Sequence, residues 1–223
     1  MLTKNKKIIL IIVLIIILAG GLLAVKVWLW QGKLVNVKSI ISQIFPLKEE
    51  LPENVKQAVD NINNNPTDIN SYLTVASYKR DKGQYEDAIK IYNAAIEIRP
   101  TDTLLLMNAA ELYVRNKQYT EAEENYLKVI DTNPKWTNAY RNLAGLYRYN
   151  LQEKRTDIPK ILELGLKNNE GMGVDAEFVG QLAVYYEDFG PKDKAIEYFE
   201  KLVVLDPTNE TAKNTLERLK SGN

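Results

Sequence analysis

Residues 103–136 read TLLLMNAAELYVRNKQYTEAEENYLKVIDTNPKW, and the fold class follows from this stretch and its copies. Leu106, Ala109, Ala110 and Tyr113, then Tyr119, Ala122, Tyr126 and Val129, recur at helical spacing. Pro134 closes the stretch, where a proline stops a helix. Pro66 and Pro100 precede it at intervals of 34 residues. Pro207 lies 73 residues further on, two such periods plus five inserted residues. A fixed period of this length marks stacked structural repeats.

Outward from this stretch, the unit at about 69–102 carries Tyr72, Val75, Ala76, Gly83, Tyr85, Ala88, Tyr92 and Ala95. The unit at about 176–209 carries Val179, Leu182, Ala183, Tyr186, Gly190, Ala195, Phe199 and Leu202. Small residues at the eighth place (Ala76, Ala110, Ala144, Ala183) and the twentieth (Ala88, Ala122, Ala195) let paired helices approach closely. Aromatics at the eleventh and twenty-fourth places fill the gap to the next pair. Gly83 and Gly190 are expected to end first helices in the left-handed conformation. The unit at about 137–175 departs from the period, with two extra residues in Leu151–Arg155, Pro159 in the first turn of its second helix, and a loop Glu170–Asp175 in place of the terminal proline.

This pattern resembles the tetratricopeptide repeat family, whose unit is two antiparallel helices. The resemblance implies an all-α, right-handed helical solenoid of about four helix-turn-helix units. Helices at 52–64 and 208–220 read as terminal caps, since an array must close its core with a polar-backed helix. The domain of repeats thus extends over 51–223, with Thr101-Asp102-Thr103 and Thr208-Asn209-Glu210-Thr211 as capping signals.

The other end of the chain reads differently. Residues 1–7 form a basic tail with Lys4, Lys6 and Lys7, and Ile8–Val25 is an unbroken apolar run. Fourteen of its 18 residues are Ile, Leu or Val, so insertion into a bilayer would be favoured by about 7 kcal/mol. A transmembrane helix over 8–30 is therefore expected, with Trp28 and Trp30 at its interface and a juxtamembrane linker at 31–50. Within the linker, Ile40, Ile41 and Ile44 sit at the spacing of a short amphipathic helix. The lysines nearest the span favour the tail inside. The expectation is a single-pass protein of a bacterial plasma membrane with its C-terminal domain extracytoplasmic.

Composition narrows the chemistry. There is no Cys and no His, so disulfides, Cys/His zinc sites and imidazole acid–base catalysis are excluded. Residues 51–223 hold 22 basic and 27 acidic side chains, which gives no electrostatic footprint for nucleic acid. Gly171-Met172-Gly173 reads as an insertion loop. The carboxylate pairs Glu49-Glu50, Glu123-Glu124 and Glu187-Asp188 are expected on solvated surfaces, where nothing perturbs their acidity. No catalytic residue, metal ligand or cofactor is expected, and the chain reads as a non-enzyme.

The family resemblance places the second, fifth, ninth and twelfth residues of each unit on the concave face. In this chain they include Leu73, Arg80, Leu104, Met107, Glu111, Asn138, Arg141, Arg148 and Glu187, with Arg115 at the thirteenth place. Leu73, Leu104 and Met107 would form an apolar strip, and Arg80, Arg115, Arg141 and Arg148 a basic centre suited to carboxylates. The implied function is a scaffold holding a protein or peptide partner, one with an acidic segment, as in assembly of bacterial envelope or secretion complexes. A self-assembling structural protein and a non-catalytic subunit of an enzyme complex are the alternatives.

Overall fold

The computed structural model describes residues 26, 29–34, 36–46 and 50–222. Among these residues the chain is helical throughout, with no strand. It divides into two compact units, one up to Leu105 and one from Leu106 onward.

The first unit holds a helix over 36–44 (α1), α2 (Glu53–Asn64), α3 (Ile69–Asp81), α4 (Tyr85–Ile98) and the start of α5 (Thr103–Arg115). α3 starts where Asp68 turns its carboxylate onto the Asn70 amide, 3.2 Å away, satisfying an N–H that has no partner within the helix. It stops at Gly83, whose φ of 73° lies in the left-handed region where a Cβ would be strained. The chain then reverses into α4, and the buried Tyr72, Val75 and Ala76 of α3 meet the buried Ala88, Tyr92 and Ala95 of α4.

Within the expected linker at 31–50, the described residues 36–46 pack as part of the fold. Val37, Ile41, Ile44 and Phe45 are buried in the first unit. Phe45 packs on Tyr78, and the Lys79 ammonium sits 4.4 Å from the Phe45 ring centre. Lys79 occupies the eleventh place of its unit, where the next three units carry Tyr113, Tyr147 and Tyr186. α1 thus brings an aromatic ring to the place where the first unit lacks one. Lys33 Nζ also donates to the Glu97 carbonyl at 2.8 Å, a cation at the end of α4 where carbonyls lack partners.

The second unit holds the rest of α5, α6 (Tyr119–Thr132), α7 (Thr137–Tyr149), a 3-10 turn (Gln152–Asp157), α8 (Ile158–Asn168), α9 (Asp175–Phe189), α10 (Lys192–Leu205) and α11 (Glu210–Ser221). From α6 onward each helix packs on the next. The eighth- and twentieth-place alanines are buried, as are Tyr126, Phe199 and Leu202. Burying each large side chain stabilises the fold by about 2 kcal/mol. The tyrosine at the fourth place has a second task. Tyr140 donates its hydroxyl to the Pro134 carbonyl at 2.8 Å, as Tyr72 does to Pro66 at 2.9 Å in the first unit. The proline that ends one helix pair is thereby tied to the helix that opens the next. At the far end, Asn209 caps α11 by accepting from the Ala212 amide at 3.0 Å.

Two expectations need correction. The first is the transmembrane helix over 8–30 and the single-pass localisation built on it. Among the described residues no helix is long and apolar enough to cross a membrane. The helical residues described at 29–34 and 36–44 carry Lys33 and Lys38, and the apolar face of 36–44 is buried in protein. The run Ile8–Val25 that carried the expectation lies outside the described residues, as does Trp28. The second is Gly190. Its φ of −108° is not left-handed. A Cβ there would lie 2.4 Å from the Tyr186 ring, so close approach requires the glycine, not chirality.

Candidate binding groove

In the second unit the first helices of the pairs, α5, α7 and α9, line three neighbouring clefts. The first, of about 500 Å³, lies among α5, α6 and α7, with Glu111, Val114, Arg115, Tyr126, Arg141, Asn142, Gly145 and Tyr149 in its walls. The second, of about 190 Å³, shares Arg141, Gly145 and Tyr149 and adds Arg148 and Gln181. The third, of about 440 Å³, shares Arg148 and Gln181 and is walled by Gly180, Val184, Phe199, Leu202 and Ala212. The clefts thus adjoin one another through common wall residues and are treated together as the groove.

Two glycines open it. Gly145 sits in the middle of α7, and a Cβ built there meets nothing within 4 Å. Gly180 in α9 leaves the Leu202 methyls as floor, 3.6 Å from where its Cβ would stand. Both glycines cost helix propensity, about 1 kcal/mol each relative to alanine. What they provide is space between side chains that are otherwise large.

The electrostatics differ from the sequence expectation. Arg141 forms an ion pair with Glu177 and also donates to Asn138 Oδ1 at 2.9 Å. Arg148 pairs with Asp188 and lies 5.3 Å from the Phe189 ring centre. Glu187 pairs with Arg218. The basic centre is thus largely neutralised within the chain, and these pairs tie α7 to α9 and α9 to α11. Arg115 is different: it is exposed, and among the described residues no ion pair involves it. Tyr126, 2% exposed, forms part of the cleft wall. Its hydroxyl pKa is pushed up to about 12 by burial and by the nearby Glu111 charge, against a hydrogen bond from Asn142 that lowers it.

The other predicted groove residues fall as follows. Met107 is only 6% exposed, so its side chain belongs to the core and not to an apolar strip. A helical face of about 100° at that point turns it inward with Leu106 and Ala110. In the first unit Leu104 is 47% exposed, while Leu73 and Arg80 are half-buried, with Arg80 Nε 3.0 Å from Asp81. Asn138 is exposed and serves Arg141.

Glu123 was expected on a solvated face, and it is buried at 6% exposure. Tyr147 donates to it at 2.5 Å and Lys154 at 2.6 Å. Lys154 comes from the extra residues of the irregular third unit. Arg155, also from that insertion, lies over Phe189 at 4.4 Å from the ring centre. The break in the period thus supplies two cations that fasten the region beside the groove. A run of charge at 153–155 in an otherwise regular array was the available signal.

The fold defines a class: proteins built of stacked helical repeats. Residues 79–147 and residues 176–209 match sequence models of the tetratricopeptide repeat. Over those residues the chain carries tetratricopeptide repeats. No curated protein sequence matches it. Among solved structures, that of MamA protein is similar at 22% identity and TM-score 0.55, covering 68% of this chain and 80% of that one. The C-terminal part of a repeat-containing protein from Cytophaga hutchinsonii is 24% identical, with TM-score 0.60 and coverage of 73% and 65%. YrrB, described as a tetratricopeptide repeat protein with an unusual peptide-binding site, is 18% identical, with TM-score 0.55 and coverage of 75% and 84%. At these identities the likeness is one of fold.

Proposed function

We propose that this protein is a binding scaffold that holds an extended or helical segment of a protein partner in the groove of its second unit. The observation that carries the proposal is the row of three adjoining clefts, with common wall residues, over two glycines, Gly145 and Gly180. A row of clefts with side-chain-sized openings suits a peptide backbone with apolar anchors better than a compact small molecule. The structure of YrrB, with its peptide-binding site, supports the same reading by fold. The acidic character expected of the partner narrows to one contact. Arg115 is the groove cation without a carboxylate among the described residues, so one acidic group of the partner sits against α5. Arg141 and Arg148 instead brace the groove wall.

The test is crosslinking in cells. A photo-crosslinking amino acid at the exposed position of Tyr149 captures a discrete protein, and Gly145→Trp, which fills the groove, abolishes that capture while the circular dichroism stays unchanged. Capture that survives Gly145→Trp, or no discrete product from Tyr149, would overturn the proposal.

A further inference from the structure

We infer that the second unit carries a second docking site, separate from the groove, for a basic segment of a partner protein that also bears apolar side chains. The site is a cleft of about 410 Å³ lined by Glu163, Leu166, Lys167, Glu170, Asp175, Val179 and Leu205. It shares no lining residue with the three groove clefts.

Its position follows from the irregular third unit. Where the other units turn on a proline, this one runs through Glu170–Asp175 with added residues. The longer loop leaves a gap among the end of α8, the start of α9 and the end of α10. Leu166 and Val179 give the cleft an apolar lining, and Leu205 at its edge is 46% exposed. The neighbouring Val204 is 77% exposed, an apolar pair at a helix end that the fold itself leaves uncovered.

Charge selects the occupant. Three carboxylates and one ammonium line the cleft. Glu163 accepts from the Tyr198 hydroxyl at 3.0 Å and keeps lone pairs free. Glu170 is exposed, and among the described residues no ion pair involves it. Asp175 Oδ1 is buried and has no hydrogen-bond donor among the described residues. A buried carboxylate oxygen without a donor is costly, and a turn of the half-buried Asp175 side chain brings it to an incoming ammonium or guanidinium, which supplies the missing hydrogen bonds. α8 and α10 end at this cleft and α9 begins there, so two helix C-termini with partial negative charge face one N-terminus with partial positive charge. Lys167 opposes a cation only in part. An acidic segment would meet repulsion from the three carboxylates, with Lys167 and the start of α9 alone to attract it, and a purely apolar one would leave Asp175 unsatisfied.

The experiment uses the full chain and two labelled peptides of equal length, one alternating Lys and Leu and the other Glu and Leu. Fluorescence anisotropy is expected to show saturable binding of the Lys/Leu peptide with Kd of about 10 µM at moderate salt, and none of the Glu/Leu peptide. The double variant Glu170→Lys, Leu205→Ser changes only exposed side chains, and it should weaken that binding by about tenfold or more. Gly145→Trp, which blocks the groove, should leave it unchanged. The inference fails if the Lys/Leu peptide does not saturate, if the double variant binds it as the wild type does, or if Gly145→Trp removes the binding. The groove proposal is tested by its own crosslink, so either reading can fail while the other stands.

Discussion

Replacing Gly165 by alanine sets two effects of opposite sign against each other. Gly165 lies inside α8, where alanine is the better helix former by about 1 kcal/mol. Propensity alone thus predicts a more stable protein. The surroundings predict the reverse. The new Cβ would stand 2.5 Å from Phe178 Cε1 and 2.9 Å from Tyr140 Cγ. An ordinary carbon–carbon contact is about 3.5–4.0 Å, so one ring must retreat by about 1 Å. Neither ring has room to do so. Tyr140 and Phe178 are 0% and 1% exposed and pack edge to face with centroids 6.1 Å apart. Tyr140 is also held at its far end, donating to Pro134 and accepting from Asn168 Nδ2 at 2.7 Å. Overpacking of this kind costs about 2–3 kcal/mol. The net is a loss of about 1–2 kcal/mol, or a fall in melting temperature of about 5 °C for a chain of this size. Gly145→Ala is the control. It is the same change inside α7 with nothing within 4 Å, so it should raise the melting temperature by about 3 °C. Thermal unfolding followed at 222 nm reads both. If Gly165→Ala melts at or above the wild type, or if both variants shift the same way, close packing is not what keeps glycine at 165.

Three further outcomes follow from the same geometry. Lys154→Met removes the ammonium from the buried Glu123 carboxylate. Lys154 itself is 41% exposed, so the loss should be about 2 kcal/mol in urea unfolding and not the larger cost of a fully buried pair, and Glu123→Gln in the same chain should recover part of it. Lys117 has φ of 60°, the left-handed region, at the same fifteenth place that Gly83 fills in the preceding unit; Lys117→Gly should therefore stabilise by about 0.5–1 kcal/mol, and a loss in chemical denaturation would show that another interaction holds that turn. Burial is the main cause that raises the hydroxyl pKa values of Tyr72, Tyr126 and Tyr147, Tyr126 to about 12. Folded-state values above the unfolded one mean stability that is complete below pH of about 10 and lost as pH rises through about 12. Absorbance at 295 nm should show these tyrosines ionising together with unfolding, and their ionisation ahead of any loss of helix would contradict this.

The spacing of prolines and alanines disclosed the repeat fold because those residues act locally. A proline ends a helix wherever it stands, and a small residue at a fixed place admits the neighbouring helix. The side of Gly83 that needed a left-handed turn was legible for the same reason. Gly190, read by the same rule, was misassigned, since its constraint is the Tyr186 ring above it and not its own backbone angle. Met107 is buried while Leu104 and Glu111 on the same side of α5 are exposed, so a place on the family's surface does not by itself fix whether a side chain is covered.

The sequence by itself determined the class of fold: helices of set length, paired and repeated at 34 residues, free of Cys and His chemistry. The tertiary structure decided which charges are available. Arg141 and Glu177 are 36 residues apart and Arg148 and Asp188 are 40 apart, yet they neutralise each other across neighbouring helices. The same holds for Lys154 with Glu123, for α1 folded onto the first unit, and for the cleft at Asp175. Helix formation depends on near neighbours along the chain, whereas the field at a side chain depends on near neighbours in space.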